Sequence, residues 1–341
     1  MAQARLRFSV VSRRQVVAGM AASAGLLACD DTRFGSSGVN GGGGGDSADL
    51  EPIPTITPNE DFYVTSCCGT PEIDGATWSL LIRSGETALA TLDLAWLEAQ
   101  TARDREHTLE CIGAGPYNQA ISNAIWSGLP LLEIFEALGV VVPDDAIELV
   151  FTSDEGYTTS LPITDLDKPI WLVWRMNGVP LPPEHGYPAR LLVPGRYGMK
   201  NPKWIVEIAF SPEPYTGYWE GYGWSQTAEY KANALIRAPE RNETVLAGPV
   251  RAQGTAYAGS DPVVAVQVQV DDGDWVDAAL DYNPGADIWT LWHLDLELPA
   301  GDHTITARCQ TASGAASLDT TEGTEGLEGY DGSMRVSVEA I

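Results

Sequence analysis

Hydrophobic and polar positions follow two periods up to about Leu235, and beyond it only one. Leu131, Leu132, Ile134, Phe135 and Leu138 recur at helical spacing and stop at Gly139, which predicts an amphipathic helix closed by a glycine cap. Residues 92–101 read as a second helix. Apolar runs at 78–82, 146–151, 170–174, 190–193 and 204–210 predict strands, and Thr108-Leu109-Glu110 predicts a short strand that delivers Cys111 just ahead of helical sequence. Gly113-Ala114-Gly115-Pro116 cannot extend that strand and predicts a loop, where reactive groups usually sit. Strands mixed with short helices predict an α+β domain over residues 51–230 rather than a regular βαβ alternation. From Leu235 the pattern is all β. Val264 to Val270 alternates as VAVQVQV, Asp271 to Asp274 reads as a turn, and 289–292 and 303–309 read as further strands. This spacing predicts an immunoglobulin-like β-sandwich over residues 235–341, with Trp275, Trp289 and Trp292 in its core.

The N-terminal residues belong to neither pattern. Arg5, Arg7, Arg13 and Arg14 lead into an apolar stretch, 16–28, too short and too rich in Ala and Gly to read as a membrane span. Residues 1–28 therefore read as a signal peptide, with Ser12-Arg13-Arg14-Gln15-Val16-Val17 as a twin-arginine signal for export in the folded state. Leu26-Leu27-Ala28-Cys29 resembles a bacterial lipobox, which would make Cys29 the lipidated first residue of the mature chain. Residues 29–50, with Gly35 to Ser47 at their centre, read as a flexible tether. The expected location is the periplasm or cell surface, lipid-anchored to a membrane.

Charge narrows the partners. With 20 basic against 47 acidic residues and a net charge of −27, the chain is a poor partner for nucleic acid or anionic headgroups. It suits a soluble domain, and a basic protein partner would be steered towards it. Cysteines stand at 29, 67, 68, 111 and 309, with neither a CxxC nor a CxxCH spacing. That argues against a four-cysteine zinc or iron–sulfur site and against covalent haem, so any electrons must leave through a separate partner. Cys67-Cys68 is a vicinal pair, and a disulfide from it to Cys309 or Cys111 stays open. Positive side chains gather in one place, His185 to Trp204, which holds His185, Arg190, Arg196, Lys200 and Lys203. Cys111 reads as a metal thiolate and this second stretch as a cradle for an anionic cofactor tail. The competing view is that Arg190 and Lys203 merely balance nearby carboxylates.

The LEC and ISNAIWSGLPL runs, followed by WRMNGVPLPPEHGYPARLLVPGRYGMKNPKW, resemble the molybdopterin domain of the sulfite oxidase family. The likeness covers roughly residues 55 to 225, and the remaining tail is similar to that family's C-terminal domain, which implies a homodimer. It implies a molybdenum ion held by one pterin dithiolene, by Cys111 and by oxo ligands, cycling between Mo(VI) and Mo(IV). It also implies that His185, Arg190 and Lys203 bind the pterin and its phosphate, assisted by Lys200 and Asn201. Tyr63 and Val64 would lie along the pterin, Ser153 would add a polar contact, and Tyr222 or Trp224 would wall the substrate pocket unless both simply pack at the domain junction. The implied activity is two-electron oxygen-atom transfer on a small molecule, with a c-type cytochrome or a quinone-linked membrane protein as electron partner. Two departures bear on the substrate: Thr65-Ser66-Cys67 replaces an Arg-Asn-His run, and Gly113 to Pro116 lacks the arginines that follow the metal cysteine in sulfite-oxidising members. A desolvated anion needs such cations, so their absence counts against sulfite; the substrate and the direction of reaction stay open, with a sulfoxide or another small oxygenated molecule as the runner-up substrate. The alternative class is a lipid-anchored binding or structural module that keeps the fold without the cofactor.

Overall fold

The computed structural model describes residues 50–116, 118–318 and 327–341, and the signal peptide, the lipobox and all of the tether but Leu50 lie outside them. The first domain is far richer in strand than an α+β reading implies. Its elements are β1 (Ser79–Ser84), β2 (Thr87–Asp93), α1 (Leu94–Glu98), β3 (Arg103–Glu110), β4 (Ile121–Pro130), α2 (Leu131–Leu138), β5 (Glu148–Ser153), β6 (Thr158–Pro162), β7 (Trp171–Met176), β8 (Val179–Pro180), β9 (Arg190–Leu192) and β10 (Ile205–Ser211). One sheet runs β2-β1-β10-β5-β6 and the other β3-β4-β7-β8, with β9 paired to β7.

The helix at 131–138 forms as its spacing predicts. It buries Leu131, Ile134 and Phe135, and Gly139 ends it in the left-handed region at φ 68°. The helix expected over 92–101 is only α1, because Leu92 is buried in β2 and Asp93 caps the helix by accepting the Trp96 N–H at 2.7 Å. The run after Cys111 is likewise a strand: β4 separates the cysteine loop from α2. Nearly every residue of β4 is buried, on both faces, so its sequence shows no alternation. Gly128 is required there, since a Cβ would lie 2.2 Å from the Leu172 carbonyl oxygen.

The second domain comprises β11 (Asn233–Ala238), β12 (Glu243–Val245), β13 (Gly248–Tyr257), β14 (Val263–Val270), β15 (Val276–Asp277), β16 (Ala279–Tyr282), β17 (Thr290–Leu298), β18 (Gly301–Thr311) and β19 (Met334–Ala340). Two sheets, β11-β13-β17-β16 and β12-β19-β18-β14-β15, share one core. Trp289 and Trp292 are buried in that core as expected. Trp275 is not: it lies half-exposed beneath the Arg308 guanidinium, 4.0 Å from its ring centre. The VAVQVQV strand buries Val266 and Val268, while an irregularity between Val263 and Ala265 turns Val264 outwards.

The sandwich is stapled to β3. The Thr108 N–H donates to the Asp287 carbonyl at 2.9 Å, the Thr108 carbonyl accepts from the Tyr257 hydroxyl at 3.2 Å, and the Thr108 hydroxyl oxygen accepts the Trp289 N–H at 2.9 Å. Arg105 pairs with Asp287 at 2.7 Å, and Asn233 donates to the Glu110 carboxyl at 3.0 Å. The strand that carries Cys111 is thus held from the other domain.

Candidate active site

Cys111 leaves the end of β3 and turns at once: its N–H donates to the Ala120 carbonyl at 2.9 Å and its carbonyl accepts from Ala114 at 2.8 Å. The side chain is half-buried and lines a cleft that is open to solvent. Tyr63, His185, Arg190, Asn201, Lys203 and Trp224 line the same cleft, so six other side chains expected near the cofactor or substrate do converge on the cysteine. No disulfide joins Cys67, Cys68, Cys111 or Cys309. Cys309 is buried in the sandwich, with Sγ 3.2 Å from the Asn233 carbonyl.

Arg190 and Lys203 decide what the cleft can hold. The Arg190 guanidinium is buried over the Trp126 ring and donates only to the carbonyls of His185 (3.1 Å) and Asn201 (3.0 Å), leaving Nε without a partner. Lys203 Nζ donates to the Glu184 carbonyl at 2.8 Å and stands 4.1 Å from the Trp204 ring centre. Among the described residues neither has a carboxylate in ion-pair contact, so the view that they merely balance acidic neighbours fails. Burial pushes Lys203 down to about 7 and Arg190 to about 10. Two desolvated cations with no carboxylate in contact are costly, and a phosphate group would supply strong charge-assisted hydrogen bonds. His185 donates Nε2–H to the Asn59 carbonyl at 2.8 Å, and burial holds it down to about 4, so it is neutral and offers Nδ1 as an acceptor.

Other expected residues have different work. Lys200 is buried against Glu220 and donates to the Ser160 carbonyl at 2.9 Å; it lies outside the cleft lining and acts as a strut. Asn201 spends its amide within the chain, accepting from the Val193 N–H at 2.6 Å and donating to the carbonyls of Arg196 and Tyr197 at 3.0 Å. It shapes the loop that holds Arg190. Arg196 pairs with Asp165 at 2.6 Å and is also structural. Ser153 is buried with an unpartnered hydroxyl but does not line the cleft, and Val64 lies between two residues that do. Tyr222 is 59% exposed and packs on Tyr218, so Trp224 alone of that pair forms the wall. Its companion is Trp219, with ring centres 4.8 Å apart, a residue sequence reasoning passed over. Thr65, Cys67, Glu155 and Tyr157 also line the cleft. The Glu155 Oε2 atom is buried without a hydrogen-bond partner.

The family model for the oxidoreductase molybdopterin binding domain matches residues 68–219. The chain is 27% identical to human mitochondrial sulfite oxidase over 302 residues, which cover 75% of this chain and 55% of that protein. It is 38% identical to the uncharacterized oxidoreductase YuiH of Bacillus subtilis over 101 residues, 29% of this chain and 50% of that one. Residues 68–219 thus carry a molybdopterin-binding oxidoreductase domain, and three quarters of the chain is similar to sulfite oxidase. The chain spans about half the length of these curated relatives. Its fold is also that of the sulfane dehydrogenase SoxCD from Paracoccus pantotrophus, with a TM-score of 0.75 at 21% identity over 86% of this chain and 83% of that one.

The donor set fits a molybdopterin. Among the described residues no three His, Cys, Asp or Glu side chains gather into an all-protein metal site. Cys111 in a cleft with two cations that lack a carboxylate in contact suits a metal whose remaining ligands arrive on an anionic organic cofactor.

Proposed function

We propose that this chain is a molybdenum-cofactor-dependent oxidoreductase that performs two-electron oxygen-atom transfer on a small substrate other than sulfite. The observation that carries the reading is the meeting of Cys111 with Arg190 and Lys203 in one cleft. Cys111 would bind the metal as thiolate, Arg190 and Lys203 would grip the phosphate tail, and His185 Nδ1 would accept from the pterin. Tyr63 would flank it; its N–H is fixed on Ser122 Oγ at 3.2 Å. When bound, the molybdenum–molybdopterin cofactor supplies the two-electron couple. The protein supplies position and a largely apolar cleft, which strengthens every charge interaction inside it.

Arg190 is the sole arginine in the cleft lining, and the cofactor tail would engage it; Thr65, Ser66 and Cys67 stand there instead of cations. This supports a neutral acceptor such as a sulfoxide over an oxyanion. The reading also includes twin-arginine export, a lipid anchor on Cys29, an immunoglobulin-like C-terminal domain that pairs two chains, and an external electron carrier. The net charge of −27 supports a basic carrier.

The test is elemental analysis of protein exported with its leader from a host that makes molybdopterin, beside Cys111→Ser. About one molybdenum per chain is expected, with loss in the variant of the visible absorption that a metal thiolate gives. A folded, exported wild type without molybdenum would overturn the reading and leave the cofactor-free module.

A further inference from the structure

The substrate class can be taken one step further on that reading, by following the charges of the cleft. Burial and the neighbouring Cys68 keep Cys67 a neutral thiol, burial keeps Tyr157 a neutral phenol, and His185 is neutral. With Arg190 and Lys203 facing the cofactor's anion, the charge left over belongs to Glu155, the sole carboxyl among the lining residues.

Its placement is specific. Glu155 sits in the turn between β5 and β6, which is closed by the Ser153 N–H on the Tyr157 carbonyl at 2.9 Å and tied to the cofactor loop by the Asp154 N–H on the Trp204 carbonyl at 2.9 Å. Trp219 and Trp224 line the same cleft, and Tyr218 lies 5.0 Å from Trp219 and 6.1 Å from Tyr157 between ring centres. An unpartnered carboxyl oxygen in a cleft that aromatic rings also line is an arrangement suited to an alkylated ammonium or a similar onium group: the ring faces attract the cation and the carboxylate neutralises it.

We propose that Glu155, with the Trp219 and Trp224 wall, makes this cleft a receptor for a positively charged group on the substrate, so that the enzyme acts on cation-bearing small molecules and turns oxyanions away. Burial lifts the Glu155 carboxyl to about 7 against the opposing pull of Lys203, the direction expected of an acid that lacks a close counter-ion. The acidic surface enriches cations around the mouth.

The holoprotein is titrated calorimetrically with choline, with its neutral carbon isostere 3,3-dimethylbutan-1-ol and with the anion 3,3-dimethylbutanoate, at about pH 8 so that Glu155 is ionised. Molybdenum is measured on the same sample. Choline is expected to bind about tenfold more tightly than the alcohol, and the anion not at all. In Glu155→Gln that preference shrinks to about twofold or less, whereas Glu155→Asp keeps part of it. Equal binding of choline and alcohol by the wild type overturns the inference, even if a variant fails to fold; so does a preference that survives in a folded Glu155→Gln. Full molybdenum with no preference sinks this inference alone, while folded protein without molybdenum sinks the proposed function and this inference with it.

Discussion

Lys203 is a lysine held near neutrality by desolvation, and its free energy is coupled to whatever anion it meets. Above pH 7 the empty site carries it largely neutral, and binding of a phosphate tail must then draw in a proton. Retention of the cofactor is therefore expected to weaken as pH rises above about 7, by up to about tenfold per unit until the pKa of the bound form is passed. Below pH 7 this dependence vanishes because the ammonium is already present. In Lys203→Met the slope should flatten and occupancy should fall at all pH values by about tenfold or more, the loss of one charge-assisted bond; molybdenum content after dialysis across a pH series measures both. That Cys111, Arg190 and Lys203 share one cleft was legible, because chemistry and motif coincide there. Roles were not legible where direction matters. Lys200 and Lys203 are three apart in one tight turn, and only the fold shows one entering a strut to Glu220 and the other facing the cleft. Glu155 and Trp219 were missed for the same reason: a hairpin turn and a distant loop bring them in, and neither has a spacing to read.

At the scale of elements, the buried pair Lys200–Glu220 joins the loop that precedes Lys203 to the short turn that begins at Trp219. The same Glu220 oxygen accepts the Thr159 hydroxyl at 2.6 Å. Removing one partner leaves an uncompensated buried charge, so Glu220→Gln or Lys200→Met should each cost about 3–5 kcal/mol, and the double change Lys200→Met with Glu220→Leu clearly less than their sum. Denaturant midpoints of the three proteins decide it. The β4–β7 contact gives a second expectation: Gly128→Ala forces a methyl onto the Leu172 carbonyl and should destabilise by about 1–3 kcal/mol in the same assay. The α2 helix and the alternating β14 strand could be read from period alone because each buries one face. The strand β4 could not, since burial on both faces places Ser122, Asn123 and Ser127 inside beside Ile121 and Trp126 and erases the alternation.

For the whole molecule, the division near residue 230 was visible in the change of period, and the dependence of one half on the other was not. Thr108 carries three bonds to the sandwich within two backbone groups and one hydroxyl, and Ile121 of β4 sits in the sandwich core. A chain ended after residue 230 should therefore fail to load molybdenum even if it stays soluble, and metal analysis of that fragment beside the full chain tests this. The matched domain at 68–219 leaves out the residues that brace its own β3 strand from the sandwich.

The staple on β3 also sets an order of events during biosynthesis. Tyr257, Asp287 and Trp289 are among the late residues to leave the ribosome, and the strand that presents Cys111 stays unbraced until they arrive. On the proposed reading, loading of the metal is then expected to follow synthesis of the second domain, so that truncated products would hold little of the cofactor.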